Sequence, residues 1–109
     1  MTEMLMVFTT FANADDAARV VRTLVEERLI ACGNVLSGAR SLYRWEGEVV
    51  DRPEVMVLMK TRKQDWTALM SRLHELHPYQ TPECIAIRIA AGAPAYMAWL
   101  DAALEPEPM

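Results

Sequence analysis

Two short stretches of the sequence place aromatic rings and titratable groups side by side. One runs from His77 to Glu83 and reads HPYQTPE, and the other, at residues 42–47, reads LYRWEG. Imidazole, phenol and carboxylate groups can transfer protons or coordinate metal ions. The two prolines of the first stretch each remove a backbone N–H and restrict φ, so we expect a rigid connector of the kind that often carries binding residues. The alternative is that the rings pack at an interface and that His77 caps a helix.

The composition limits the partners that we expect. The chain has 109 residues, enough for a single hydrophobic core. Its formal net charge of −4 and its scattered lysines and arginines provide no basic stripe, so nucleic acid is not expected as a partner. The apolar stretch Met4–Phe8 is much shorter than the roughly 18 residues of a membrane-spanning helix, and no positively charged segment precedes it. We therefore expect a cytoplasmic protein with no membrane partner.

The two cysteines, Cys32 and Cys84, are expected to be free thiols. The cytosol normally keeps thiols reduced, and the sequence has no Cys-x-x-Cys pair to indicate a zinc ribbon. We expect both side chains to act as small buried hydrophobic groups. Direct coordination of Cu(I) by a thiolate is the alternative.

Hydrophobic periodicity predicts the order β-α-β-β-α-β followed by a C-terminal helix. Asn13 is suited to cap the first helix. Thr61 and Gln64 have the spacing of a capping box and predict the start of the second helix, which Pro78 ends. The last helix begins near Pro94. The predicted strands occupy residues 4–11, 29–45, 49–60 and 84–89, with a bulge at a glycine in the second strand and a hairpin turn at 46–48.

This order is typical of an α+β, ferredoxin-like βαββαβ sandwich, in which two helices cover one face of a four-stranded antiparallel sheet. We expect a single domain over residues 1–104. The tail at 105–109 is rich in glutamate and proline, and we expect it to be disordered.

The predicted strands are more apolar than one covered face requires. The first strand and the segment Val55–Met59 of the third strand are apolar at successive positions, so both of their faces should be buried. In this topology the two strands form the central pair, and a soluble monomer rarely exposes so large an apolar band. We therefore expect identical chains to assemble and to bury the second face.

Several motifs, in this order and spacing, closely resemble those of the CutA divalent-cation-tolerance proteins. The two specific ones are Tyr-x-Trp-x-Gly at residues 43–47 and His-Pro-Tyr-x-x-Pro-Glu at 77–83. Further matches extend the resemblance over nearly the whole chain: Ala31-Cys32, Asn34, Lys60-Thr61, Tyr96 and Trp99-Leu100. The resemblance implies a homotrimer of ferredoxin-like subunits, similar in architecture to the PII signalling proteins. It also implies a link to copper and other divalent metals.

The resemblance implies candidate metal ligands, although the sequence matches the family pattern only in part. Family members with a proposed copper site have a cysteine in the first strand and two tandem histidines before the proline. Here these positions are Phe8 and Leu76-His77. His74 lies one helical turn before His77, so the two imidazoles share one side if the helix extends to His77. We expect weak binding of copper or another divalent metal at His77 and His74, with no obligatory cofactor. The alternative is two surface histidines at the negative end of a helix.

A second hypothesis follows from the likeness to PII proteins. The trimer is then a small-molecule sensor or adaptor with ligand-binding clefts between its subunits. The expected lining residues are Tyr43, Arg44, Trp45, Lys60, Tyr79 and Glu83. No glycine-rich phosphate loop is present, so a nucleotide is not the expected ligand. The alternative for the charged residues is that they are solvated strand ends or a weak surface ion pair.

A third hypothesis is an enzyme that uses such a cleft. It requires a base, an acid and an anion-binding cation, for which the candidates are Glu83 or His77, Tyr79 or Tyr43, and Lys60 or Arg44. No recognised catalytic motif fixes their geometry. We therefore predict a metal-tolerance protein that is not an enzyme and has no catalytic residues, and we rank the sensor second and catalysis third.

Overall fold

The structure is a computed structural model and describes residues 2–107. Four strands and three helices follow one another in the predicted order. The strands are β1 (Met4–Phe11), β2 (Cys32–Trp45), β3 (Glu48–Arg62) and β4 (Ile85–Arg88). The helices are α1 (Ala14–Glu26), α2 (Trp66–Leu76) and α3 (Pro94–Leu104), and a 3₁₀ turn at Lys63–Asp65 precedes α2.

The strands form one antiparallel sheet in the order β2-β3-β1-β4. The first and third strands are therefore the central pair, as the sequence predicts. Two helices on one face of such a sheet make the α+β, ferredoxin-like fold. The predicted fold class is confirmed.

The first helix begins as predicted and the second does not. Asn13 has an extended backbone, and its side-chain oxygen accepts a hydrogen bond from the Asp16 backbone N–H at 2.8 Å. α2 begins at Trp66 without a side-chain cap. The predicted capping box is wrong because Thr61 belongs to β3, where its hydroxyl donates a 2.8 Å hydrogen bond to the Leu29 carbonyl.

β2 and β3 form a long hairpin with two irregular points. Its two-residue turn, Glu46-Gly47, has φ angles of 50° and 81°. Turns in which both central residues have positive φ match the twist of a hairpin. The strand register shifts within residues 36–39, where Gly38 has a φ of 97°. The bulge predicted at a glycine of this strand is thus confirmed.

Helices α1 and α2 cover one face of the sheet. Val7, Val57 and Met59 are completely buried there, and Leu24 of α1 and Leu69 of α2 pack against them. Each such buried side chain contributes about 1.5–3 kcal/mol to the stability of the fold. This face is complete within one chain.

The opposite face is covered only at one end, where α3 packs on Met4. Beyond α3, the strand register places Ile85, Phe8 and Leu58 in one row across three strands. The side chain of Ile85 remains 57% exposed in the single chain. The apolar second face that the sequence predicts is therefore present.

Ion pairs connect the beginning of the C-terminal tail to the domain. Two arginines make these contacts, in the pairs Arg62–Asp101, Arg62–Glu105 and Arg28–Glu107. The side chain of Arg62 is largely buried, so its pairs hold the end of α3 more firmly than surface ion pairs do. Residues 108 and 109 lie outside the described residues, and the disorder of residues 105–109 stays a prediction.

Candidate ligand-binding cleft

An open cleft of about 750 Å³ lies between the β2–β3 hairpin and the segment that joins α2 to β4. β3 lines it with the alternate residues Val50, Arg52 and Glu54, because residues two apart on a strand share a face, and β2 lines it with residues 40–43 and Trp45. The joining segment contributes side chains from residues 79–83, and Thr10 and Met56 reach the cleft from the central strands. Four separate parts of the chain therefore build the site.

Four of the six residues predicted for a cleft line it together. Tyr43 and Trp45 come from β2, and Tyr79 and Glu83 come from the joining segment. The Trp45 side chain is 51% exposed in the single chain. The two motifs that stand out in the sequence thus meet in one place.

The other two predicted residues lie outside the cleft. Arg44 faces the opposite side of β2 from its two neighbours, and its guanidinium donates a hydrogen bond to the Gly47 carbonyl at 3.4 Å. Lys60 lies near the other end of the hairpin, where its ammonium donates to the Asn34 side-chain oxygen at 3.2 Å. Strand alternation and register, which determine these placements, separate both residues from the aromatic cluster.

A tyrosine–carboxylate pair forms the inner wall of the cleft. The Tyr79 hydroxyl donates a 2.7 Å hydrogen bond to Oε2 of Glu54, whose side chain is buried. Burial raises the pKa of Tyr79 to about 12, and the hydrogen bond to Glu54 acts in the same direction. The phenol is therefore protonated at neutral pH. Glu54 could not be predicted from the sequence, because a single acid in a strand carries no local signal of its burial.

Arg52 also lines the cleft and was not singled out from the sequence. Its guanidinium carbon lies 5.5 Å from the ring centroid of Tyr79 and 5.8 Å from that of Tyr43, within the range of cation–π interactions. Arg52 is two residues from Val50, the β3 partner of Tyr43, so both face the same side as that ring. Counting every second residue of β3 from the hairpin turn could have identified Arg52 in the sequence.

His77 is hydrogen-bonded to the segment that joins α2 to β4. Its Nδ1 accepts a hydrogen bond from the Tyr79 backbone N–H at 3.1 Å, so Nε2 carries the proton and donates to the Thr10 carbonyl at 2.7 Å. The ring is buried and stacks on Phe11 with 4.1 Å between ring centroids. Burial lowers the pKa of His77, against the opposing effects of the Thr10 hydrogen bond and the Glu54 charge. His77 is thus a neutral ring with both nitrogens engaged.

Comparison with known proteins identifies the family. The family described as CutA1 divalent ion tolerance protein matches residues 5–103. The chain belongs to the CutA family. The divalent-cation tolerance protein CutA of Thermus thermophilus is 42% identical over 95 residues, which cover 87% of this chain and 92% of that relative. The CutA of Pyrococcus horikoshii is 43% identical over 97 residues, with coverage of 89% and 94%. The resemblance found in the sequence is confirmed.

Solved CutA structures share the fold of this chain. The divalent ion tolerance protein CutA1 of Ehrlichia chaffeensis has a TM-score of 0.92 at 28% identity and covers 97% of this chain and 99% of its own. CutA of Xylella fastidiosa has a TM-score of 0.90 at 37% identity, with coverage of 94% and 98%. A third, from Archaeoglobus fulgidus, is named a periplasmic divalent cation tolerance protein and has a TM-score of 0.90 at 27% identity, with coverage of 94% and 99%.

Location follows neither from these relatives nor from the helices. None of the helices described within residues 2–107 is both long and apolar enough to cross a membrane. Because one CutA relative is named periplasmic, the cytoplasmic location of this chain stays a prediction.

The described residues of this CutA chain do not form a closed metal site. Among residues 2–107, no group of three or more His, Cys, Asp or Glu side chains is placed to hold an ion. α2 ends at Leu76 and His77 has an extended backbone, so His77 does not continue the helical face of the exposed His74. Both cysteines are free and half-buried, and burial raises the pKa of the Cys84 thiol, which disfavours its thiolate.

Proposed function

We propose that this chain serves in the tolerance of divalent metal ions as a cytoplasmic homotrimer that binds copper or another divalent ion weakly. Family membership over residues 5–103 carries the proposal, since the relatives are named divalent-cation tolerance proteins. The proposal assigns no catalytic residue.

The apolar second face of the sheet supports assembly. In one chain the row formed by Ile85, Phe8 and Leu58 is only partly covered, since Ile85 is exposed and the other two are half-buried. Burying the remaining apolar surface contributes about 25 cal/mol for each Å². A closed ring of identical subunits can cover the same face on every chain. Trp45 is half-exposed near the tip of the hairpin, so we expect it to pack on a neighbouring chain near Tyr79. The cleft then lies between subunits.

The contacts of His77 support weak rather than tight binding of a metal ion. An ion at Nδ1 displaces the Tyr79 N–H, and an ion at Nε2 displaces the proton that is donated to Thr10. Leaving a buried hydrogen-bonding group without its partner costs about 1–3 kcal/mol. His74 is exposed and needs no such opening, so we expect it to bind first.

Calorimetric titration with Cu²⁺ and with Zn²⁺ tests the metal ligands, with His74→Ala and His77→Ala as paired variants. We expect weak binding at neutral pH that either variant weakens further. Binding should be lost near pH 5, because a protonated imidazole has no lone pair left to coordinate a metal ion. Unchanged stoichiometry and affinity in both variants would exclude the two histidines. Binding that persists near pH 5 would indicate thiolate or carboxylate ligands instead.

A growth assay tests the tolerance role itself. Cells that lack the gene should become more sensitive to added Cu²⁺, and the intact gene should restore their growth. A gene with Leu58→Glu, which places a charge on the apolar second face, should not restore growth because assembly is blocked. Copper sensitivity that does not change on deletion contradicts the proposed role.

A second candidate function is small-molecule sensing in the cleft. Three aromatic rings, those of Tyr43, Trp45 and Tyr79, line one open cavity beside Arg52 and Glu83. Mostly apolar walls with a few polar groups are typical of small-molecule sites. A compound library should contain molecules that raise the unfolding temperature of the intact protein and not that of Tyr43→Ala. A library without any such molecule would count against the sensing function.

A further inference from the structure

Among residues 2–107, no side-chain hydrogen bond or ion pair engages the guanidinium of Arg52. Its guanidinium lies against the rings of Tyr43 and Tyr79, at 5.8 Å and 5.5 Å from their centroids. In the part of the chain that the structure describes, no carboxylate forms an ion pair with Arg52. An arginine presents five N–H donors in a planar fork. The two rings therefore orient this fork while its donors remain available to a ligand.

The other arginine that lines the cleft is already paired. Nε and Nη2 of Arg40 donate hydrogen bonds of 2.9 Å and 2.8 Å to the two carboxylate oxygens of Asp51. Such two-point contact satisfies both the charge and the geometry of a guanidinium. Arg52 has no such partner within the described residues, so it is the cation through which the cleft can bind an anion.

The acids of the cleft restrict how much negative charge a ligand can carry. Glu54 accepts the hydrogen bond of Tyr79, and Glu83 lines the opposite wall from the hairpin. Two carboxylates repel a multiply charged anion such as phosphate more strongly than a singly charged one. A ligand with one carboxylate group matches the single positive charge of the Arg52 guanidinium.

We propose that the cleft binds a small organic monocarboxylate with a planar apolar body, and that Arg52 pairs with its carboxylate. Guanidinium and carboxylate groups match in a two-point, planar contact. Val50 and Met56 line the same cleft and provide apolar surface for the planar body. This inference deepens the second candidate function, since it names the class of ligand that the cleft takes.

A cationic ligand is disfavoured by the same geometry. Aromatic rings and a carboxylate attract ammonium groups in general. Here Arg52 already lies against Tyr43 and Tyr79, so a second cation would lose those ring faces and be repelled by the guanidinium.

Titration calorimetry on the intact assembled protein with three probes tests the inference. Phenylacetate has a ring and one carboxylate, phenethylamine has the same ring with an ammonium, and inorganic phosphate has charge without a ring. We expect phenylacetate to bind at least about tenfold more tightly than the other two. Arg52→Gln should weaken phenylacetate binding about tenfold to a hundredfold, the range expected for lost hydrogen bonds to a charged group. Arg44→Gln removes the same charge outside the cleft and should leave the affinity unchanged.

Three outcomes overturn the inference. Equal affinity of phenylacetate for the intact protein and for Arg52→Gln removes Arg52 from the site. Tighter binding of phenethylamine, lost in Tyr43→Ala, shows that the cleft is a ligand site for cations instead. Failure of both ring-bearing probes to bind rejects the aryl carboxylate class, and the library measurement on intact protein and Tyr43→Ala then decides separately whether the sensing function stands.

Discussion

The two faces of the sheet differ in how far one chain completes them. On the face under α1 and α2, Val57 and Met59 are completely buried. On the other face, Leu36, Ile85 and Ile87 are 47%, 57% and 55% exposed, although α3 covers the end near Met4. The strands supply apolar side chains to both faces alike. The difference indicates that the second face keeps apolar surface available for contact with something outside the chain.

The largest difference in folding should be between two variants that each place a glutamate in β3, one on each face of the sheet. Val57→Glu places a carboxylate in the core beneath the helices, and an unpaired buried charge costs several kcal/mol, a large part of the roughly 5–15 kcal/mol that stabilises a small domain. We expect this variant to be unfolded or insoluble by circular dichroism. Leu58→Glu changes the next residue, on the second face, and should remain folded as a single chain.

If Leu58→Glu unfolds as completely as Val57→Glu, the second face is needed for the fold of one chain and not only for assembly. If both variants form folded trimers, neither face is tightly packed.

Truncation of the exposed Trp45 side chain should have the next largest effect, which is on the stability of the assembly. We expect Trp45→Ala to weaken assembly by about 2–4 kcal/mol per chain, because a large ring at a well-packed interface contributes that much. Thermal unfolding and light scattering measure this loss of assembly. Val49→Ala is the matched control, since Val49 is exposed on the same hairpin and does not line the cleft. An unchanged trimer and unfolding temperature in Trp45→Ala would indicate that the ring faces a ligand instead.

The buried histidine beside the cleft should make the protein sensitive to acid. Because burial lowers the pKa of His77, the unfolded chain takes up a proton near the usual value of 6.5 while the folded chain resists. The free energy of unfolding should therefore fall as the pH drops below about 6.5 and show no such change above it. Urea unfolding at several pH values measures this slope. His77→Gln should flatten it and His74→Ala should not, and a slope that survives His77→Gln contradicts this origin.

The smallest expected change in stability concerns an unsatisfied hydroxyl group on the helix-covered face. The Thr9 hydroxyl is completely buried and, among the described residues, has no hydrogen-bond partner. Thr9→Val keeps the shape and removes the unsatisfied group, so we expect the free energy of unfolding to rise by about 1 kcal/mol. Thr9→Ser keeps the hydroxyl and loses a methyl group, so it should be less stable than the intact protein. Destabilisation by Thr9→Val would show that the hydroxyl has a partner.

The order of elements could be predicted from the sequence because their signals are local. Apolar periodicity, the Asn13 cap and the glycines of the hairpin each act over a few residues. The capping box at Thr61 failed because the motif is equally local, whereas pairing of β3 with β1 extends the strand through Arg62. Tertiary pairing overrides such a signal.

The cleft could be predicted only in part because it depends on register. Its aromatic residues stand out by type, and four of the six expected residues meet in it. Arg44 lies outside because neighbouring strand residues face opposite sides, and Arg52 and Glu54 belong to the cleft through pairing that no single motif reveals. The engagement of both His77 nitrogens also follows from contacts with Thr10 and Tyr79, which only the fold brings together.

The mass of the protein in solution tests most directly whether copies of the chain cover the second face. Light scattering over a wide range of concentration should give three times the 12.3 kDa of one chain, and Leu58→Glu should give the mass of one chain. A homotrimer that persists on dilution agrees with burial of the row formed by Phe8, Leu58 and Ile85. A single-chain mass for the intact protein at every concentration would contradict that burial and, with it, a cleft built between subunits.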